Sequence, residues 1–201
     1  MTKNILLATR NQGKVTEISE ILASLDVTWL SLGDVGVNYE VEESGKTFEE
    51  NAILKVKICA RKTGLLTLAD DSGLEVDALD GQPGVHTARF GGPGLTQKQR
   101  YQRLLESLSS VPWEQRTARF RCVVALGRDQ ELLGTASGVC EGMIALKPAG
   151  MGGFGYDPIF YLPERNKTMA QLQPNEKHRI SHRGQALAVL APLLRAELLN
   201  Q

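Results

Sequence analysis

Two adjacent aspartates, Asp70 and Asp71, follow the apolar run 65–69 and precede Ser72 and Gly73. Carboxylates at the end of a buried strand are costly unless they pair with a cation or bind a metal ion. Successive side chains of a strand point to opposite faces, so the two carboxylates are expected to have different roles. One would face a cleft, while the other would hold local backbone or a lysine. A polar turn that caps a helix is the alternative, and the pattern favours the functional site.

A second group of carboxylates, Glu40, Glu42 and Glu43, lies just ahead of a helix expected to begin at Thr47. These side chains could provide oxygen ligands for Mg²⁺, which usually takes one or two carboxylates together with substrate phosphates. Alternatively, these carboxylates could stabilise the positive end of the helix, and the segment taken alone favours this simpler explanation.

An anion site is suggested by a short polar segment between the first predicted strand and the first predicted helix. Gly13 permits close approach of the backbone, the helix N-terminus offers N–H groups, and Lys14 adds a positive charge. A polar turn with a solvated lysine is the alternative, because the spacing is not that of a Walker loop. The candidate phosphate-binding residues are Thr9, Arg10, Asn11, Gln12, Gly13 and Lys14.

The segment 148–158 combines four glycines with two aromatic residues, Phe154 and Tyr156. Such a composition is incompatible with a helix or a regular central strand. Aromatic rings in a loop can stack on a planar group, as they do on nucleobases. The alternative is a flexible loop that is closed by packed aromatic residues, and the two interpretations are evenly balanced.

Two of the three histidines fall within the basic segment 176–184, which includes Lys177, His182 and Arg183. A zinc site would require more His or Cys ligands at defined spacing. The segment therefore indicates either a local site that binds an anion or a base, or a solvated charged surface.

The elements that position these residues alternate between strands and helices in the first half of the chain, and a hairpin follows at 118–141. Short strands are predicted at 4–8, 65–69, 74–79 and 159–162, the last being the final strand. Capping boxes at Thr47 with Glu50 and at Thr96 with Gln99 predict two helices, and Pro192 is expected to kink or interrupt a C-terminal helix that Ser181 caps. This order predicts an α/β fold with a long mixed β-sheet flanked by helices, forming one domain over residues 1–201 with two lobes and a central active-site cleft.

The composition narrows the class of protein. Lysine plus arginine equals aspartate plus glutamate at 23 each, which argues against an extended nucleic-acid-binding surface. The three cysteines have no C-x-x-C spacing and are expected to be buried free thiols. No apolar run approaches the length of a membrane span, so a cytoplasmic protein is expected.

The same segments, taken in order, resemble the inosine triphosphate pyrophosphatase family, the dITP/XTP pyrophosphatases. The match extends over nearly the whole chain and is carried by residues 8–14 (ATRNQGK), 43–52 (ESGKTFEENA), 69–74 (ADDSGL), 83–90 (PGVHTARF), 153–158 (GFGYDP) and 180–183 (ISHR). Six motifs in the right order are far more specific than any one of them.

The resemblance implies Mg²⁺-dependent cleavage of ITP, dITP or XTP to the monophosphate and pyrophosphate by a homodimer. It implies that Asp71 is both general base and metal ligand, with Glu42 or Glu43 as a further ligand. Thr9 to Lys14 would hold phosphate, and Lys14 and Lys55 would neutralise the leaving pyrophosphate. Substrate contacts are implied for Ser72, Phe154, Gly155, Tyr156, Asp157, Lys177, His182 and Arg183.

Two other functions remain open at this stage. A nucleotide pyrophosphatase of the septum-formation-inhibitor type has similar architecture but prefers other bases. A nucleotide sensor would bind the same ligand with Mg²⁺ and release no pyrophosphate. The presence of Asp71, the upstream glutamates and several lysines favours an enzyme.

Overall fold

The computed structural model describes residues 3–38 and 41–200, which form two compact units. The first unit contains the chain up to Asp71, the segment Cys122–Gly138 and the chain from His182 onward. The second contains Ser72–Arg121 and Val139–Ser181. Three strands contribute residues to both units, because each unit is built from segments that are distant in sequence.

The strands form one seven-stranded mixed sheet in the order β2-β1-β3-β4-β5-β6-β7. β1 pairs in parallel with β2 and β3, whereas β6 pairs antiparallel with β5 and β7. The predicted α/β class with a mixed sheet and helices is confirmed. The strands are β1 (Lys3–Leu7), β2 (Val27–Leu30), β3 (Leu66–Val76), β4 (Thr117–Arg128), β5 (Glu131–Ile144), β6 (Phe160–Leu162) and β7 (Lys167–Thr168).

Three helices begin directly after a residue whose side chain caps them, namely Asn11, Thr47 and Thr96. Thr96 and Gln99 form the expected reciprocal capping box, whereas at the other predicted box only the Thr47 side chain caps its helix. The Glu50 carboxylate accepts instead from the N–H of Lys46, which replaces the expected bond to Thr47. The helices are α1 (Gln12–Ile21), α2 (Phe48–Thr63), α3 (Gln97–Ser107), α4 (Pro174–Ile180) and α5 (His182–Leu199).

Two boundary predictions for strands are wrong. β3 runs without interruption through Asp70 to Gly73, because its charged side chains find partners and no turn is needed to expose them. β6 is followed by the two-residue β7, so it is not the last strand. α5 continues through Pro192 to Leu199, so the C-terminal helix is not interrupted there. Part of the basic segment forms the short helix α4, which ends at Ile180.

Each unit has its own apolar core. In the first, Ile5, Leu66 and Val124 from the sheet pack with Ile18 of α1 and Leu190 of α5. In the second, the core is formed by β3 to β6 and α3, and its fully buried side chains include Leu74, Leu104, Ile144, Ile159 and Phe160. Burial of each such side chain contributes about 1.5–3 kcal/mol, so the cores fix the strands that carry the polar residues.

Strand β5 approaches the first turn of α5 unusually closely at Gly138. A Cβ atom there would lie 2.2 Å from the carbonyl oxygen of His182 and 2.8 Å from the backbone nitrogen of Ala186. Both are backbone atoms that cannot move without shifting the helix, so only glycine fits.

None of the helices in the described part of the chain is long and apolar enough to cross a membrane.

Candidate active site

Asp70 is the centre of a buried ion-pair network in the first unit. Its Oδ1 atom lies 2.7 Å from the ammonium of Lys14, and its Oδ2 accepts from Nη2 of Arg183 at 2.9 Å and from Nε at 3.1 Å. The remaining terminal nitrogen of Arg183 donates to Glu17, and the thiol of Cys122 donates to Asp70 Oδ2 at 3.5 Å. The carboxylate of Asp70 is thus surrounded by two cations within the protein itself.

These cations determine the charge state of Asp70. Burial alone would raise the pKa of this fully enclosed carboxyl, but the charges of Lys14, Arg183 and Lys55 outweigh burial. The resulting pKa of Asp70 lies well below its ordinary range, so the group is a permanent carboxylate. The prediction that one of the two aspartates holds a neighbouring cation is confirmed for Asp70.

Asp71 contacts a different set of residues, all from α2 and the segment before it. Its Oδ1 lies 2.9 Å from Nζ of Lys55, and its Oδ2 accepts from the side-chain amide of Asn51 at 3.2 Å. Lys55 also lies 2.9 Å from Oε1 of Glu43. Asn51 and Lys55 are one helical turn apart, so a single face of α2 presents both donors to Asp71.

The segment that carries Glu43 is attached to α2 through Gly45. The N–H of Gly45 donates to the side-chain oxygen of Asn51 at 2.8 Å, while the amide nitrogen of Asn51 reaches Asp71. A Cβ at position 45 would lie 2.6 Å from that oxygen and 2.7 Å from Cβ of Glu50. Glycine is therefore required for this contact, which brings Glu43 close to Lys55.

Electrostatics distinguishes this second group from the first. Burial is the largest influence on Asp71 and raises its pKa, although Lys55 and Lys14 act in the opposite direction. Burial would lower the pKa of Lys55, but the charges of Asp71, Asp70 and Glu43 outweigh it, so the net shift is upward. Lys55 therefore remains an ammonium, and Asp71 is a stronger proton acceptor than an ordinary aspartate.

The donor chemistry of this group fits a hard divalent cation. Glu43 and Asp71 each place an oxygen 2.9 Å from the same nitrogen, and Mg²⁺ commonly uses one or two carboxylates plus phosphate oxygens. Among residues 3–38 and 41–200, no three His, Cys, Asp or Glu side chains are grouped closely enough to hold a metal without such help. Glu42 is exposed, and Glu40 lies outside the described residues.

The predicted phosphate segment lies at the start of α1. Asn11 caps the helix by accepting from the N–H of Lys14 at 3.3 Å, and the hydroxyl of Thr9 accepts from the N–H of Asn11 at 3.2 Å. Arg10 donates to the carbonyl of Val37 at 2.8 Å. Gln12 is exposed and Gly13 is half-buried in the first turn. The geometry leaves helix N–H groups at this end, as an anion site requires, while Lys14 is held by Asp70.

In the second unit the structure brings together Phe154, Asp157 and Lys177. Asp157 is buried and accepts from the ammonium of Lys177 and, at 2.8 Å, from the N–H of Phe154. The same ammonium lies 5.0 Å from the centre of the half-buried Phe154 ring, within the range of a cation–π contact. A Cβ at Gly153 would lie 2.0 Å from a carboxylate oxygen of Asp157, so this group also depends on a glycine.

Tyr156 does not present its ring as the sequence suggested. It is 4% exposed within the apolar core of the second unit, and its hydroxyl donates to the carbonyl of Thr87 at 3.0 Å. Its neighbour Gly155 donates its N–H to the side chain of Gln97 at 2.9 Å. Tyr156 therefore anchors the glycine-rich loop, whereas the ring of Phe154 remains half-buried.

Arg183 also differs from expectation, because its guanidinium is 2% exposed and is engaged by Asp70 and Glu17. Those contacts argue against direct contact between its side chain and a base. His182 is buried at the start of α5, and Ser72 is half-buried in β3. Sequence reasoning missed Glu17, although its position three residues after Lys14 puts both on one side of α1.

Comparison with known proteins identifies the family of the chain. The Ham1 family profile matches residues 5–193. The chain is 52% identical over 186 residues to a dITP/XTP pyrophosphatase of Geobacter sulfurreducens, covering 92% of this chain and 94% of that protein. It is 45% identical over 194 residues to the protein of the same name from Bacillus subtilis, covering 96% and 98%.

Solved structures of related proteins have the same fold. A HAM1 protein from Coxiella burnetii superimposes with a TM-score of 0.86 at 43% identity, covering 97% of this chain and 100% of that chain. A nucleoside-triphosphatase, also described as a dITP/XTP pyrophosphatase, from Mycobacterium abscessus gives a TM-score of 0.75 at 44% identity, covering 94% and 99%. The family resemblance carried by the six sequence motifs is therefore confirmed, and the chain belongs to the Ham1 family.

Proposed function

We propose that this chain is a pyrophosphatase that hydrolyses non-canonical purine nucleoside triphosphates, namely dITP, ITP and XTP, to the monophosphate and pyrophosphate. Relatives that share about half of their residues over nearly the full length carry the name dITP/XTP pyrophosphatase. The single observation that carries the chemistry is the environment of Asp71. It is a buried carboxylate with a raised pKa, supported by Asn51 and Lys55 and close to a second carboxylate, Glu43.

The proposed mechanism begins with binding of the triphosphate at the start of α1, where helix N–H groups favour an anion. Asp71 accepts the proton of the attacking water, and its raised pKa suits that role at neutral pH. Lys55 neutralises charge that accumulates on the leaving pyrophosphate, because its ammonium is fixed beside Asp71. Thr9 to Gly13 hold the phosphates, and Asp70 maintains the position of Lys14.

Glu43 and Asp71 are the residues that would hold Mg²⁺, with Glu42 as the alternative glutamate. When bound, the ion would supply charge neutralisation for the phosphate oxygens and orient the water. Hydrolysis at phosphorus depends mainly on such positioning and electrostatic stabilisation, which the two carboxylates and Lys55 are arranged to assist.

Base recognition is assigned to Phe154, Asp157 and Lys177, with His182 and Ser72 as further predicted contacts. Phe154 provides a ring for stacking, worth about 1–3 kcal/mol per base. Lys177 provides an ammonium with three donors, of which Asp157 accepts one. Hypoxanthine and xanthine have an acceptor at C6, whereas adenine has an amino donor. A lysine donor therefore favours the deaminated bases, since a buried donor left unpaired costs about 1–3 kcal/mol.

The direct test is pyrophosphate release from a panel of ITP, dITP, XTP, GTP, ATP, dTTP and UTP, with and without Mg²⁺. We expect turnover of ITP, dITP and XTP well above that of ATP, and its loss when the metal is chelated. Activity confined to ATP, or activity that persists without a divalent metal, would contradict the proposal.

The same panel separates the two alternatives. Preference for dTTP and UTP would indicate an enzyme of the septum-formation-inhibitor type. A sensor would bind ITP in a titration with Mg²⁺ and release no pyrophosphate. The positioned Asp71 and Lys55 favour turnover over sensing, because binding alone has no need of a proton acceptor.

We further propose that the protein acts as a homodimer in the cytoplasm, as the family resemblance implies. Light scattering coupled to size-exclusion chromatography would measure the oligomeric state. A mass of about 22 kDa, that of one chain, would exclude the dimer under the conditions used.

A further inference from the structure

We propose that Lys55 is an internal counter-ion which occupies the position between Glu43 and Asp71 in the metal-free protein and gives way when metal and triphosphate bind together. The inference rests on the proposed role of these two carboxylates as metal ligands. It adds that Lys55 controls metal affinity, in addition to contacting phosphate.

The geometry that supports it is symmetrical. The nitrogen of Lys55 lies 2.9 Å from Oε1 of Glu43 and 2.9 Å from Oδ1 of Asp71. Its side chain is 9% exposed and that of Asp71 is 7% exposed, so water screens the contact between them poorly, whereas the side chain of Glu43 is 24% exposed. The ammonium therefore lies where a cation bridging the two carboxylates would lie.

Neighbouring residues hold the carboxylates in place independently of Lys55. Asp71 is also bound by the amide of Asn51, which is 0% exposed, and the same amide group holds Gly45 near Glu43. Removing the ammonium should therefore leave the two carboxylates near each other instead of dispersing them. Their mutual repulsion would then favour any cation that enters.

The charges of Lys55, Glu43 and Asp71 indicate how the binding of metal and the binding of nucleotide are coupled. Lys55 compensates one of the two negative charges of Glu43 and Asp71, while Asp70 is compensated separately by Lys14 and Arg183. A divalent ion beside the ammonium would give a local excess of positive charge. A triphosphate removes that excess and offers the ammonium a new partner, so each ligand should bind more tightly in the presence of the other.

The test is the substitution Lys55→Met, which keeps an unbranched side chain shorter by one atom and removes the charge. Mn²⁺ binding to the nucleotide-free protein is measured by calorimetry and by loss of the free-ion paramagnetic signal. We expect Mn²⁺ to bind about tenfold more tightly to the variant than to the wild type, within the usual range of couplings between sites. Lys57→Met is the matched control, because Lys57 is exposed on the same helix, and it should leave Mn²⁺ affinity unchanged.

The linkage itself is measured by repeating the titration with a non-hydrolysable triphosphate analogue. In the wild type the analogue should raise Mn²⁺ affinity about tenfold or more, and in Lys55→Met the gain should be several-fold smaller. A lysine that only contacts phosphate would leave the nucleotide-free Mn²⁺ affinity of the variant equal to or weaker than that of the wild type. That result would overturn the proposal.

Two further measurements keep the test decisive. If Lys55→Met does not fold in metal-free buffer, recovery of the melting transition with Mn²⁺, absent for Lys57→Met, would support the counter-ion role, and no recovery would overturn it. Lys55→Arg retains the charge and should bind Mn²⁺ as weakly as the wild type. The wild-type nucleotide panel is scored separately: no turnover would refute the proposed function, whereas the Mn²⁺ titrations decide the role of Lys55.

Discussion

The surroundings of Asp70 and Asp71 can be compared directly, because the two residues are adjacent in β3 and chemically identical. Asp70 is enclosed by Lys14 of α1 and by Arg183 of α5, which itself is held by Glu17. Asp71 has one cation, Lys55, together with the neutral amide of Asn51. Asp70 thus contacts two cations, whereas Asp71 contacts one cation, which it shares with Glu43.

The difference explains why the two pKa values move in opposite directions. The charges of Lys14, Arg183 and Lys55 outweigh the burial of Asp70 and lower its pKa, whereas at Asp71 burial outweighs the nearby lysines and raises the pKa. Alternation along a strand supplies the two environments from neighbouring positions. Asp70 is therefore suited to hold structure, and Asp71 to exchange a proton and contact ligands.

The strongest test of this comparison is Asp71→Asn. We expect kcat to fall roughly 10²–10⁴-fold, because the amide cannot accept the proton of the attacking water. The melting temperature should change far less than in Asp70→Asn, since the amide is isosteric and Asn51 and Lys55 remain in place. Steady-state kinetics with dITP and a thermal melt measure the two quantities, and near-normal turnover would remove Asp71 from the mechanism.

The converse variant is Asp70→Asn, which leaves the cations Lys14 and Arg183 with one buried anion fewer. Breaking a buried pair in this way costs about 3–5 kcal/mol, measured by urea unfolding. The folded-state pKa of Asp70 is depressed, so its stabilisation is present above the unfolded pKa of about 3.9 and is lost as pH falls towards the folded value.

The difference in unfolding free energy between wild type and Asp70→Asn should consequently be constant from about pH 8 to about pH 5 and shrink below about pH 4. A difference that grew on acidification would show that Asp70 is not the ionised partner of Lys14 and Arg183.

A smaller loss of stability is expected when Glu17, which pairs with Arg183 in the Asp70 ion-pair network, is substituted. Glu17→Gln keeps a hydrogen-bond acceptor for Arg183 but removes the charge, which should lower the unfolding free energy by about 1.5–3 kcal/mol. Glu197→Gln is the matched control, because Glu197 pairs with Arg128 at 3.5 Å in a more exposed position and should cost less than about 1 kcal/mol. Equal losses in the two variants would mean that burial adds nothing to the Glu17 pair.

The smallest effect is expected on the rate at which the thiol of Cys122, which lies 3.5 Å from Asp70, is labelled. Burial first, and then the charge of Asp70, raise the pKa of this thiol, so it should react with Ellman's reagent only when the protein opens. Asp70→Asn should accelerate that labelling by lowering the cost of opening, and Asp71→Asn should not. Rapid labelling of Cys122 in the wild type would contradict the buried network.

Much of this arrangement could be predicted from local sequence. Short apolar runs predicted β1 and the start of β3, and Thr96 with Gln99 predicted the start of α3. α2 ends at Gly64, whose φ of 68° favours glycine. The 118–141 hairpin is confirmed as β4 and β5, separated by Asp129 and Gln130. These features depend on contacts within a few residues, which a sequence displays directly.

The contacts that the sequence did not reveal are those between distant segments. Glu17 and Arg183 are 166 residues apart, and no local pattern links them. The Ser72-Gly73 pair suggested a turn, but ion pairs at Asp70 and Asp71 allow β3 to continue. Tyr156 and Phe154 are aromatic residues of the same glycine-rich segment, so the sequence could not distinguish their roles. In the structure the ring of Tyr156 enters the core, whereas that of Phe154 remains half-buried. The roles of the individual substrate contacts remain predictions.

Gly138 has a consequence for how mutational data on this protein should be interpreted. Every side chain at this position would displace the backbone of α5 at His182 and Ala186, so a saturation library should show Gly138 to be as intolerant as Asp71. The two kinds of intolerance would separate in abundance measurements, because Gly138 variants should be depleted from the cell whereas Asp71→Asn should accumulate as inactive protein. Fitness measurements alone would not distinguish the steric requirement at Gly138 from the chemical requirement at Asp71.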